Sequence, residues 1–245
     1  MRDSYKTYDF FTGKIAPFLL FEMEYHSLFY VVENHKNDRF YPEINPASQV
    51  ASIGLLAYFE AFCKHQFAAI VNLFPSLIAE FSCKRGEPKI EFSTIVSFKG
   101  EFEKNIGFAL AENYDFGTSK AINGLFKDLL LVTPFNMKEQ KVFDEIVFCR
   151  NLLVHHGGFY TLQYLKKNSI SEELKKSVFK DAIKIDTAKY HEISDFLFEM
   201  AIKIARQTVK AAKNLDEFKS LPKDSERRSA VDELLQAIYD TMEID

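Results

Sequence analysis

The sequence predicts an all-α fold, and three observations carry that expectation. Only 9 Gly and 7 Pro stand in 245 residues, too few turn-formers for many short strands. Apolar residues recur at three- and four-residue spacing over long stretches, the period of a helix with one buried face. Capping residues open three of those stretches, at Thr118, Asn136 and Asp186. The chain is 47% hydrophobic and 27% charged, which excludes a disordered or fibrous polymer. No Gly- or Ser-rich linker divides it, so residues 1–245 read as a single α-helical domain.

In chain order, residues 17–32 are aromatic and apolar with spaced charges, a first helix. Residues 33–46 are polar with two prolines and read as a loop. A long helical pattern follows over 48–81, with Leu55, Leu56, Phe59, Phe62, Cys63, Gln66, Phe67 and Ile70 in register, and Pro75 kinks or divides it. Residues 82–89 read as a turn, and 90–113 as helix with a break near Gly100. Gly117-Thr118-Ser119 caps a helix running to about Leu131, which Thr133-Pro134 ends. Asn136 with Glu139 is a capping-box start for a helix that runs to His156 and stops at Gly157-Gly158. Residues 159–185 are mixed, and 178–185 alternate enough for a short strand or extended arm. Asp186 caps a helix over 187–214 whose stripe includes Ile193, Leu197, Met200 and Ile204. Leu221-Pro222 separates a last amphipathic helix over 224–242. The sum is seven or so helices.

The net charge is −4 and the pI about 5.9, which argues against a general nucleic-acid coat. A local basic cleft remains open: Lys203, Arg206, Lys210 and Lys213 share a helical face, with Arg227-Arg228 beyond. The same run also reads as a solvated face with packed stems. Cys63, Cys83 and Cys149 form neither a disulfide framework nor a zinc pattern, and Cys63 with His65 has no second ligand pair. No phosphate-binding glycine loop, nucleophile elbow or HExxH occurs, so neither cofactor nor metal is expected. The apolar run over 15–21 is broken by Glu22 and Glu24, far short of the ~20 residues that span a bilayer. A cytoplasmic, soluble protein with no membrane partner is the expectation.

One segment carries chemistry: Phe143 to Gly158. At about 100° per residue, Val142, Phe143, Ile146, Val147, Leu153 and Val154 form an apolar stripe with Arg150 in its middle. A guanidinium there keeps its proton and needs a compensating anion or partner surface. A second face carries Asp144, Phe148, Asn151 and His155. The partial negative charge of the helix C-terminus favours an imidazolium at His155 or His156. Arg, amide and His at one helix end suit a phosphodiester, with Arg binding phosphate oxygens and His moving a proton. The alternative is a structural Arg150 paired with a carboxylate such as Glu60 or Asp144, and two histidines forming a polar helix end. A bare Arg with His five to seven residues on arises by chance in about half of such chains, whereas Arg-Asn with His at one fixed offset arises in roughly one in a hundred.

The string Arg150-Asn151-Leu152-Leu153-Val154-His155 resembles the R-x(4–6)-H motif of the HEPN superfamily in its R-N-x-x-x-H form. The acidic, apolar run before it, the glycines after it, and the Tyr58-Phe59-Glu60-Ala61-Phe62 and Asn72-Leu73-Phe74-Pro75 stretches are similar to those of larger HEPN proteins. The resemblance covers about residues 45–215, with extra N- and C-terminal helices. It implies a HEPN-like helical bundle that forms a homodimer with the two motif helices facing each other. It also implies a metal-independent endoribonuclease acting on RNA at a composite site, in a toxin–antitoxin, phage-defence or stress system, with an antitoxin or other protein partner. By the same resemblance Arg150 stabilises the phosphorane charge, His155 or His156 is the general acid or base, and Asn151 orients the phosphate or the histidine. Asp144, Glu145 and Glu60 are accessory candidates or ordinary surface charges, Glu60 having Lys64 four residues on. Two other classes stand beside this one: a HEPN-like interaction module without catalysis, and a helical scaffold unrelated to HEPN.

Overall fold

The longest apolar pattern in the sequence becomes the axis of the fold. In a computed structural model that describes residues 6–38, 44–98, 101–167 and 181–236, two short 3-10 turns (Thr7–Phe10 and Thr12–Lys14) lead into α1 (Pro17–Asn34). There follow α2 (Pro46–Leu73), α3 (Leu77–Arg85), α4 (Phe92–Ser97), α5 (Phe102–Ala111) and α6 (Ser119–Leu130). The chain continues through α7 (Met137–His156), α8 (Leu162–Lys167), α9 (Thr187–Asn214), α10 (Asp216–Lys219) and α11 (Glu226–Glu233). The fold is all-α, with no strand among the described residues. Of the arm expected over 178–185, residues 178–180 lie outside the described residues; beyond them Ala182 makes one antiparallel bridge to Phe159.

Helix α2 starts where Pro46 fixes the first turn and the Asn45 side chain accepts the Ser48 N–H at 3.0 Å. It ends at Leu73, ahead of Pro75. Its last two turns are covered on all sides, every residue from Gln66 to Leu73 being buried, while Val50 and Tyr58 earlier in the helix meet solvent. α1, α5, α7 and α9 pack around it. The phenylalanines fill the seams: Phe59 meets Phe21 at 6.0 Å and Phe143 at 5.4 Å, while Phe67 meets Phe81 at 5.4 Å and Phe126 at 6.1 Å between ring centres. Each buried ring contributes about 1.5–3 kcal/mol of apolar transfer. One buried cluster runs from Phe10 to Leu234. Two polar ties cross it: Gln66 Nε2 donates to Thr208 Oγ1 at 2.8 Å, and Asn72 joins α2 to both Phe10 and Gly107.

The turn expected over 82–89 begins later than the sequence suggests. α3 continues through Arg85 and stops at Gly86, whose φ is 84°. Arg85 is fixed by Asp128 at 2.6 Å and by the Phe81 and Tyr114 rings, so tertiary contacts prolong the helix past its local turn signal. The basic run is largely spoken for. Lys203 pairs with Glu139 and Lys213 with Asp232. Arg227 donates to Glu217 and the Leu73 carbonyl and lies over Phe74. Arg228 covers Phe218 and donates to the Leu221 carbonyl. These cations fasten the C-terminal helices to the body rather than lining a cleft. Among the described residues no helix is long and apolar enough to cross a membrane.

Candidate functional site

The motif helix is built as its local sequence dictates. Asn136 Oδ1 accepts the N–H groups of Lys138 and Glu139 at 2.9 and 3.0 Å, and Glu139 Oε2 accepts the Asn136 N–H at 2.7 Å. At the other end Gly157 and Gly158 take φ values of 59° and 85°, and the Gly158 N–H donates to the Leu152 carbonyl.

The buried side of α7 is Phe143, Ile146, Cys149 and Leu152, every third residue. Such a row runs obliquely over the helix surface rather than parallel to its axis. That corrects the straight stripe: Val142 and Val154 are 43% and 50% exposed. Phe143 and Arg150, seven residues apart, share a face. Phe143 packs on Phe59, and Arg150 Nη2 donates to Glu60 Oε1 at 2.8 Å. The aromatic contact and the ion pair therefore use consecutive residues of α2. The two charged side chains are 27% and 24% exposed, so the pair is mostly covered yet open to solvent.

Glu60 is thus not the surface partner of Lys64, which pairs with Glu112 at 2.8 Å. Burial pushes the Glu60 carboxyl above its ordinary value; Arg150 pulls it back, and Asp115 raises it further. Asp115 belongs to the turn before α6, where its carboxylate accepts the Gly117 N–H at 2.8 Å. Asp144 accepts from Ser119 Oγ at 2.8 Å in the first turn of α6, a structural tie at a helix N-terminus. Glu145 lines a cavity of about 100 Å³ between α7 and α9, together with Cys149 and Lys189. Burial raises the Cys149 thiol to about 11, which leaves it protonated and inert.

Asn151 is half-buried, and His155 and His156 are exposed at the helix end. No hydrogen bond fixes these three side chains among the described residues. At about 100° and 1.5 Å per residue, Arg150 and His155 project roughly 140° apart and roughly 7.5 Å along the axis. His155 shares the Asn151 face, and His156 points the other way round the helix. The structure joins Arg150 to Glu60 and leaves the histidines free of it. Beyond the glycines a ladder of rings flanks the same face, with Phe148 4.9 Å from Tyr164 and Tyr164 5.0 Å from Tyr160. Sequence reasoning passed over it, although the four-residue spacing of Tyr160 and Tyr164 was a signal. Burial lifts Tyr164 to about 12, so its phenol stays neutral. Among the described residues no three His, Cys, Asp or Glu side chains gather as a metal site. No family model, curated protein or solved structure matches the chain.

The Glu60 carboxyl binds its proton more tightly in the folded chain than its ordinary value of 4.5 implies. Its ionisation therefore costs stability as pH rises through the window above 4.5. Equilibrium denaturation at stepped pH is expected to show wild type losing stability relative to Glu60→Gln from pH 4.5 toward neutrality. A difference that grows in wild type's favour with pH would show that the attraction of Arg150 outweighs burial.

Proposed function

We propose that this chain is a metal-independent endoribonuclease of the HEPN type, acting on RNA at a composite site made by two copies. The observation that carries the reading is the division of labour on α7: a held but accessible Arg150, and exposed histidines projecting elsewhere at the same helix end. A second α7 facing the first supplies what one helix separates. In the reaction a ribose 2′-oxygen attacks the adjacent phosphorus and the bond to the 5′-oxygen breaks, leaving a cyclic phosphate and a 5′-hydroxyl. Histidine takes the 2′ proton or protonates the leaving 5′-oxygen, Arg150 neutralises the phosphorane, and Asn151 orients phosphate or imidazole. Phage defence, toxin–antitoxin or stress response, with an antitoxin or other protein partner, is the setting this chemistry fits.

The test is RNA incubated with purified protein in EDTA. Wild type is expected to cleave and to run as a homodimer by light scattering. Arg150→Ala is expected to lose about a hundredfold or more. Whichever of His155→Ala and His156→Ala loses cleavage comparably is the acid–base residue. Equal cleavage by all variants would defeat the assignment. The Arg150–Glu60 pair favours a second reading, a non-catalytic HEPN-like interaction module, because the guanidinium already has an anion. RNA or protein binding with no cleavage by wild type would establish it.

A further inference from the structure

The inference concerns Glu60 and rests on the endoribonuclease reading above. We propose that Glu60, reaching across from α2, is the positioning residue for Arg150: it holds the guanidinium by one N–H and leaves its other donors turned to the phosphodiester. Three features of the geometry carry this.

The contact is monodentate. Arg150 Nη2 meets Glu60 Oε1 at 2.8 Å, and no other partner of Arg150 occurs among the described residues. A guanidinium has five N–H donors in a rigid fork, so one carboxylate oxygen fixes its direction without consuming its capacity. The pair is also anchored. Phe59 precedes Glu60 on α2, and Phe143 precedes Arg150 by two turns on α7, and those two rings pack at 5.4 Å. The ion pair is the next rung outward from a core contact, so its place follows from the seating of the helices. Finally, the pair is largely covered, with 27% and 24% of the side chains exposed. A partly desolvated guanidinium that lost its partner would swing toward water.

The other charges near the pair do not substitute for Glu60. Asp115 faces it from the turn before α6, but its carboxylate is committed to the Gly117 N–H. Asp144 is tied to Ser119, and Lys64 to Glu112. Cys63 beneath is a fully buried thiol, held neutral by burial and by Glu60 itself.

The experiment compares full-length wild type, Glu60→Gln, Glu60→Ala, Arg150→Ala and the Glu60→Ala/Arg150→Ala double variant. Each is measured for RNA cleavage in EDTA and for affinity to the same RNA with 2′-O-methyl riboses, which lacks the nucleophile. Glu60→Ala is expected to lower kcat roughly tenfold to a hundredfold, since a misplaced Arg costs the transition state. Its affinity for the methylated RNA is expected to change by less than about threefold, because a phosphate contact survives displacement better than catalysis does. Glu60→Gln keeps the oxygen acceptor and volume and is expected to recover most of kcat. The double variant should be no worse than Arg150→Ala alone. Wild-type kcat in Glu60→Ala, or additive losses in the double variant, would overturn the assignment while Arg150 retained its role. A kcat in Glu60→Gln above wild type would overturn it too, by showing that the carboxylate competes with phosphate. If Glu60→Ala does not fold, Glu60→Met, which fills the volume but offers the guanidinium no oxygen, takes its place with the same expectations. No cleavage by wild type would end the endoribonuclease reading and this inference together.

Discussion

Gly107→Ala is expected to destabilise the chain by on the order of 3 kcal/mol, against the usual gain from replacing glycine inside a helix. The position is where α5 crosses α2 most closely. A Cβ built there lies 2.0 Å from the Ala68 carbonyl oxygen, 2.8 Å from the Ala68 carbonyl carbon and 2.8 Å from Asn72 Oδ1. Two of those atoms are backbone, so no rotamer change relieves the clash and α5 must move off α2. The movement breaks the Gly107 N–H bond to Asn72 Oδ1, now 2.7 Å, and disturbs the Asn72 bond to the Phe10 carbonyl. Leaving such groups buried and unpaired adds about 1–3 kcal/mol to the overpacking cost. The measurement is the urea midpoint at unchanged slope. Gly54→Ala is the matched control: its Cβ meets Leu28 methyls at 3.5 and 3.9 Å, ordinary contact, and the substitution is expected to raise the midpoint. A Gly107→Ala midpoint at or above wild type would mean that α5 does not rest on α2 through this glycine.

Gly107 also marks what the sequence does not announce. Its meaning depends on residue 68, on another helix, and no local pattern points there. Features set by neighbouring residues were legible. The Asn136/Glu139 box, the Thr118 and Asp186 caps, the division of the long apolar run ahead of Pro75 and the stop at Gly157 all appear at the expected residues. Each is fixed by bonds or sterics within a turn or two. The end of α3 was misread for the opposite reason, because Arg85 answers to Asp128 on α6.

The candidate site divides the same way. The placement of Arg150, Asn151, His155 and His156 at one helix end follows from spacing alone. The partner of Arg150 does not: Glu60 and Asp144 both fitted as partners, and the local rule gave Glu60 to Lys64. The fold decides by handing Asp144 to Ser119 and Lys64 to Glu112, leaving Glu60 for the guanidinium. The apolar stripe failed at its two ends, because a wheel does not say how far along the helix its neighbours reach. The buried row runs obliquely through Cys149 to Leu152, and Val142 and Val154 are left exposed.

The first ring of that row seats α7 against α2. Phe143→Ala is expected to cost about 3–5 kcal/mol, since the side chain is fully buried and packs on Phe135 at 5.0 Å and Phe59 at 5.4 Å. For a chain of this size the melting temperature should fall by roughly 10 °C. The loss should not be confined to the core. Phe143 seats α7 two turns before Arg150, so a ring-sized void lets the helix tilt and lengthens the Arg150–Glu60 contact. Stability measurements on Phe143→Ala, Glu60→Gln and the double variant should then show a coupling above the ~0.5 kcal/mol seen for independent sites. Phe143→Leu, which refills most of the volume, should restore the stability and bring the cycle with Glu60→Gln back to additivity. A loss under about 1 kcal/mol in Phe143→Ala, or strict additivity with Glu60→Gln, would show that the ion pair is seated by something other than this aromatic contact. The distinction bears on function, because a guanidinium aligned by the core keeps its direction only as long as the two helices keep theirs.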